Sequence, residues 1–253
     1  MSRSMFPIAA AAFAILVATW PAWAGAPFIT DDPEPVGDGH WEIYGFSQGS
    51  HTRGDDSGTL FGVDANYGVG PNAQLHVITP LAYENPGGSE SHNTGIGDVE
   101  LGVKYRFVDP GPDDWWPQVG VYPLVELPTG DADHGLGTSH RRTFVPVWLQ
   151  KDFGQWTTYG GGGRWMNPGA GNHDYWFFGW LLQRQVTDRL SLGGELFHQS
   201  ADADDGNDTS GFNVGGSYDL DDHYHLLASA GRGLQNAART NEFSYYVAIQ
   251  RTR

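Results

Sequence analysis

Asp98-Val99-Glu100-Leu101-Gly102-Val103-Lys104-Tyr105-Arg106-Phe107 alternates without a break between apolar and polar positions. Val99, Leu101, Val103, Tyr105 and Phe107 occupy one set of positions, and Asp98, Glu100, Gly102, Lys104 and Arg106 the other. Successive side chains of a β-strand point to opposite faces, so this stretch reads as a strand with one greasy face and one charged face.

The pattern repeats on both sides of it. Segments 61–67, 74–83, 190–199, 212–219 and 243–250 alternate clearly, and 40–49, 117–127, 143–153, 156–166, 174–186 and 223–231 do so more weakly. About twelve strands result, each near the ~10 residues of a membrane-spanning strand, with no credible amphipathic helix among them. The gaps between strands alternate in length. Ser50–Thr59, Glu84–Thr94, Pro128–Arg142, Asn167–His173, Ser200–Thr209 and Arg232–Asn241 are long, whereas Gly68–Asn72, Gly154–Gln155, Thr187–Arg189 and Leu220–Asp222 are short, with Val108–Trp116 between the two classes. Outer-membrane barrels have short periplasmic turns and long external loops. A soluble β-sandwich or lipocalin-like barrel gives no reason for that alternation. The expected fold is therefore all-β: a closed transmembrane antiparallel barrel with an even number of strands and both termini periplasmic. Tyr67, Tyr105, Phe107, Phe153 and Tyr218 are expected in a periplasmic aromatic girdle, and Tyr83, Trp165, Trp176 and Phe243 in an outer one. Pro80, Pro123 and Pro146 fall within expected strands, where a closed ring offers no free edge, and are expected near the outer rim or at bulges.

The ends of the chain fit an exported protein. Residues 1–24 read as a signal peptide: Arg3, a short apolar run from Met5 to Thr19, and Ala22-Trp23-Ala24 as the cleavage site. Residues 25–38, rich in Pro and Asp, read as an extended lead-in, and residues 39–253 as the barrel. The C-terminal residue is Arg253, not the aromatic residue usual in outer-membrane barrels. A net charge of −16 excludes nucleic acid as a main partner. With no cysteine there is neither a disulfide framework nor a thiolate metal site. The mean hydropathy of −0.42 is compatible with a barrel, whose lumen and loops are polar.

Facing apolar positions to lipid leaves an inward set: Glu42, Asp64, His76, Asp98, Glu100, Lys104, Arg106, Glu126, Asp152, Arg164, Glu195, Asp219 and His225. Carboxylates outnumber bases. The set reads either as a permeation path with a mild preference for cations or as ion pairs that staple the interior. Tyr44, Phe46, Tyr122, Leu124, Trp148, Tyr175, Phe177, Phe197 and Tyr246 also face inward, either forming an apolar slot for a solute or filling space; a twelve-strand bore lies between filled and open sizes. The histidines show no metal-binding spacing, the acidic loops lack EF-hand spacing, and no metal or other cofactor is expected. Ser139-His140 and Ser191 are the candidates for an outer-membrane hydrolase, but no G-x-S-x-G segment accompanies them, and no catalytic residues are assigned.

Pro27-Phe28-Ile29-Thr30-Asp31-Asp32-Pro33 followed by Gly39-His40-Trp41-Glu42, the run Gly97–Arg106, Glu126-Leu127-Pro128-Thr129-Gly130-Asp131 and Leu192-Gly193-Gly194-Glu195-Leu196 resemble segments of the "MetA-pathway of phenol degradation" family. The resemblance implies an outer-membrane, transporter-like barrel that passes small aromatic or other apolar molecules, and it supplies no catalytic residues. The alternatives are a sealed barrel with a surface or structural role and, third, a lipid-modifying enzyme. Expected partners are outer-membrane lipid and lipopolysaccharide, a small-molecule solute, periplasmic chaperones and the barrel assembly machinery.

Overall fold

The computed structural model describes residues 25–86, 92–111 and 114–253. The expected signal peptide, 1–24, and Glu90 of the expected acidic loop Glu84–Thr94 lie outside the described residues. The strands are β1 (Trp41–Thr52), β2 (Asp55–Val69), β3 (Ala73–Pro86), β4 (Asn93–Ile96), β5 (Val99–Val108), β6 (Gln118–Val121), β7 (Leu124–Leu127), β8 (Arg142–Phe153), β9 (Trp156–Met166), β10 (Tyr175–Thr187), β11 (Leu190–Gln199), β12 (Thr209–Asp219), β13 (Tyr224–Gln235) and β14 (Phe243–Thr252). The pair β4 and β5 forms one stave and the pair β6 and β7 another, so the ring has 12 staves. Each stave pairs antiparallel with the next. β1 closes the ring on β14, from Glu42 opposite Thr252 to His51 opposite Phe243. Trp41 and Arg253 exchange backbone bonds of 2.7 and 2.9 Å beside that seam. The start of β1 and the end of β14 thus lie at the end with short turns.

Closure satisfies the backbone, as a lipid-embedded sheet requires, and alternation then sorts the side chains. On β10, Tyr175, Phe177, Gly179, Leu181 and Gln183 are buried while Trp176, Phe178, Trp180, Leu182 and Arg184 are exposed. Leu101, Val103, Tyr105 and Leu196 extend the exposed apolar surface around the barrel. An apolar band of this kind belongs in lipid. At Thr59–Phe61 a bulge turns both Leu60 and Phe61 outward.

The prolines sit at breaks in the ladder. Pro80 O accepts from Gly97 N at 2.9 Å, so the edge of Pro80 that lacks an N–H faces the Gly97-Asp98 interruption between β4 and β5. Pro123 is itself in the interruption between β6 and β7. Val121 pairs with Val147 and Leu124 with Phe144, which sets Pro146 opposite that same interruption. Broken staves, and not the outer rim, accommodate the missing donors.

Two further sequence expectations fail here. Ser50–Thr59 is not a long loop: β1 runs to Thr52, β2 starts at Asp55, and His51 pairs with Asp56. The strands continue above the apolar band, where polar residues on both faces erase the alternation. Trp165 is not in the outer girdle, because it points inward and stacks on Phe144 with centroids 4.8 Å apart. In the short turn after β12 the Asp221 carboxylate accepts from His223 N and Tyr224 N, and these bonds hold its carboxyl below the ordinary range.

Leu101→Arg would place a guanidinium in the lipid-facing band at a cost of about 2–4 kcal/mol. Urea unfolding in lipid vesicles should show a loss of that size, and a far smaller one for Gln155→Arg in an exposed turn.

Candidate functional site

The lumen holds residues 25–38. The backbone of this segment has no sheet to pair with, so inward side chains of the barrel supply its partners. Glu195, buried on β11, accepts from Ile29 N at 3.0 Å and Thr30 N at 2.8 Å, and from Asn213 Nδ2 at 2.6 Å. Gln74 Oε1 accepts from Val36 N at 2.9 Å. Ser229 Oγ donates to Pro27 O. Lys104 Nζ lies 2.9 Å from Asp31 Oδ1 and 3.4 Å from Asp32 Oδ2. Gln150 Nε2 donates to Glu34 Oε2 at 3.1 Å, and Arg106 approaches Glu34 at 4.0 Å. Phe28 packs on Tyr159 and Leu181. At Gly179 the segment passes close against the wall: a methyl there would collide with the Thr30 hydroxyl. Asp38, bridged to Gly68, returns the chain to the short-turn end, and β1 begins three residues later. The expected lead-in is therefore a plug, folded into the lumen and leaving it at the short-turn end.

On one side the rest of the bore is packed. Tyr122, Phe144, Trp148, Phe177 and Phe197 form one cluster, with Leu124 and Trp165 against it. Trp148 is 1% exposed. On the other side a cavity of about 1070 Å³ runs between the plug and the wall formed by β14, β1, β2, β3 and β5. Its lining extends from Ser57 and Ser244 in the long-loop half to His40, His223 and Arg253 at the short-turn end.

The expected inward residues separate into groups. Glu42, Asp64, His76, Glu100, Lys104 and Arg106 border the cavity. His76 bridges Asp64 at 3.2 Å and Glu100 at 2.9 Å, and Tyr44 Oη donates to Glu42 at 2.9 Å. Glu126 lies outside this group and is held by Arg142, whose Nε is 2.6 Å from its Oε2. Trp148 and Phe177 are in the packed half, Glu195 holds the plug, and Asp219 sits near the periplasmic end, 2.7 Å from His225 Nδ1. Arg164 does not face the lumen. On β9 Thr157, Tyr159 and Trp165 point inward, which turns Arg164 out to pair with Asp174 at 2.9 Å. Gly160–Gly163 carries no side chains to show which face is which, and the polarity of Arg164 alone misplaced it.

Asp98 has a role that alternation did not reveal. Its carboxylate accepts from Gly130 N at 2.9 Å, and from Thr138 N and Oγ1 at 2.6 and 2.8 Å. It thereby folds the long loop between β7 and β8 so that Leu136 is buried. In that loop, a hydrogen bond from His134 holds the Asp131 carboxyl below its usual range. Ser139 Oγ does lie 2.8 Å from His140 Nδ1. However, Asn172 Nδ2 reaches both Pro168 O and His140 Nε2, at 3.3 and 2.9 Å, which makes Nε2 an acceptor and leaves the ring proton on Nδ1. An imidazole that donates to the serine oxygen is the reverse of nucleophile activation.

A closed barrel with an apolar exterior, a chain segment folded into its lumen and a cavity beside that segment defines an outer-membrane channel-like barrel. The chain belongs to the family described as "Putative MetA-pathway of phenol degradation", whose model matches residues 24–249. Among solved structures it is similar to the COG4313 outer membrane channel from Pseudomonas putida F1, with a TM-score of 0.71, 16% identity, and coverage of 88% of this chain and 98% of that one. The KdgM porin, solved in complex with disordered oligogalacturonate, and the NanC porin each give a TM-score of 0.54 at 10% identity, covering 84% of this chain and 98% of theirs. At these identities the likeness is one of fold, and it places the protein among outer-membrane barrels. No match is found among curated proteins.

Lys104→Met would leave the buried Asp32 and the half-buried Asp31 without their cation, at a cost of about 3–5 kcal/mol to the plug's seat. Protease added to the folded variant should cut within residues 25–38 much faster than in the parent, while the barrel stays intact on a gel.

Proposed function

We propose that this protein is a narrow outer-membrane channel in which small solutes pass between residues 25–38 and the β14–β1–β2–β3–β5 wall. The observation that carries the reading is the cavity of about 1070 Å³, whose lining runs from the long-loop half to the short-turn end while the opposite side of the bore is packed. Tyr44, Phe46, Ile78 and Tyr246 give it an apolar side, which suits small aromatic or other apolar molecules and accords with the phenol degradation that the family description names. An acidic oligosaccharide such as the ligand of the KdgM porin is a poor match, because Asp31, Glu34, Glu42, Asp64 and Glu100 face the cavity. The apolar exterior suits contact with outer-membrane lipid and lipopolysaccharide, and delivery by periplasmic chaperones and the barrel assembly machinery belongs to the same reading.

The packed Tyr122–Trp148–Phe177 cluster and the buried plug favour a second reading, a sealed barrel with a role at the cell surface. Planar bilayers separate the two. A channel gives small, steady conductance steps, and deleting residues 26–36 enlarges them severalfold. A sealed barrel stays silent with the plug in place.

A further inference from the structure

Around the plug and the cavity beside it, Lys104, Arg106 and His76 each lie between two carboxylates. Lys104 is held by Asp31 and Asp32 at 2.9 and 3.4 Å. Arg106 lies 2.9 Å from Asp109 and 4.0 Å from Glu34. His76 sits between Asp64 and Glu100, at 3.2 and 2.9 Å. Glu42 accepts only the Tyr44 hydroxyl and has no ion-pair partner among the described residues. None of these three cations is left over to attract an anion, Arg253 lines the cavity only at its short-turn end, and the balance of fixed charge along the lining is negative even with His76 protonated. A passage lined by one sign of charge between low-dielectric walls concentrates counter-ions and repels co-ions.

The same cavity has a second kind of surface. Tyr44, Phe46 and Tyr246 face it, with the rings of Phe46 and Tyr246 stacked at 5.7 Å, and Ile78 adds an aliphatic contact. Tyr44 and Asp64 are directly opposite on paired strands, as are Ile78 and Asp64. The apolar side and the carboxylates are thus one residue apart along the path. Aromatic faces beside carboxylates are the surroundings that hold an organic ammonium, whose charge gains from both.

We infer that the cavity selects small organic cations, amines with an apolar body, over neutral and anionic molecules of the same size. The ammonium group moves past Glu42, Asp64 and Glu100 while the apolar part lies against Tyr44, Phe46, Ile78 and Tyr246. This rests on the channel reading and adds to it the charge class of the solute. It also separates the solute from the anionic forms of aromatic acids, which the carboxylates turn away.

Benzylammonium and benzoate have the same ring and opposite charge. Reversal potentials of the purified protein in planar bilayers, measured with each as the replacing ion, should give a permeability ratio of about ten in favour of benzylammonium. Glu42→Gln combined with Asp64→Asn should bring the ratio close to one, with folding checked by the heat-dependent shift in gel mobility. A silent bilayer overturns the channel reading and this inference with it. A conducting protein that passes benzoate as readily as benzylammonium overturns this inference alone. If a folded double variant keeps the full ratio, the assignment to these carboxylates is wrong. If the double variant does not fold, the ratio measured on the parent protein still decides the charge class.

Discussion

A sheet in lipid has to close on itself, and closure leaves every inward polar side chain with nowhere to find a partner except the lumen. That constraint governs the rest of this molecule. The β1–β14 seam fixes which residues face in, and alternation then directs Glu195, Gln74, Lys104, Gln150 and Ser229 toward the axis. Residues 25–38 answer them with backbone amides, carbonyls and the Asp31-Asp32 pair. Each side supplies hydrogen-bond partners to the other. A twelve-stave bore that would otherwise hold water or collapse is thereby divided into a packed half, a plug and a side cavity.

Much of the fold was legible because lipid and lumen impose opposite demands on successive residues. Strands such as 98–107 and 190–199 advertise those demands at every position, and their observed limits differ by a residue or less. Where the environment is the same on both faces, the signal disappears. His51, Thr52, Asp55 and Asp56 stand above the apolar band, so a hairpin looked like a loop. Gly160–Gly163 gives no side chain to sort, and Arg164 was assigned to the wrong face.

The site was legible in part. The residue types around the cavity follow from alternation, but their division into a plug seat, a loop anchor and a conduit wall does not. Asp98 and Glu100 are two positions apart, yet one organises an external loop through backbone amides and the other faces the cavity with His76. Residues 25–38 have no periodicity, because a segment surrounded on all sides by a lumen has no single buried face. Only the three-dimensional meeting of Thr30 with Gly179 and Glu195 shows where it goes.

The protein has no cysteine, so a single introduced thiol reports on one place only. With Thr30→Cys in lipid vesicles, a polar maleimide should react far more slowly than with Gln155→Cys in an exposed periplasmic turn, and should reach full labelling only after urea unfolds the barrel. Equal rates at the two positions in the folded protein would contradict the account, because residues 25–38 would then lie outside the lumen.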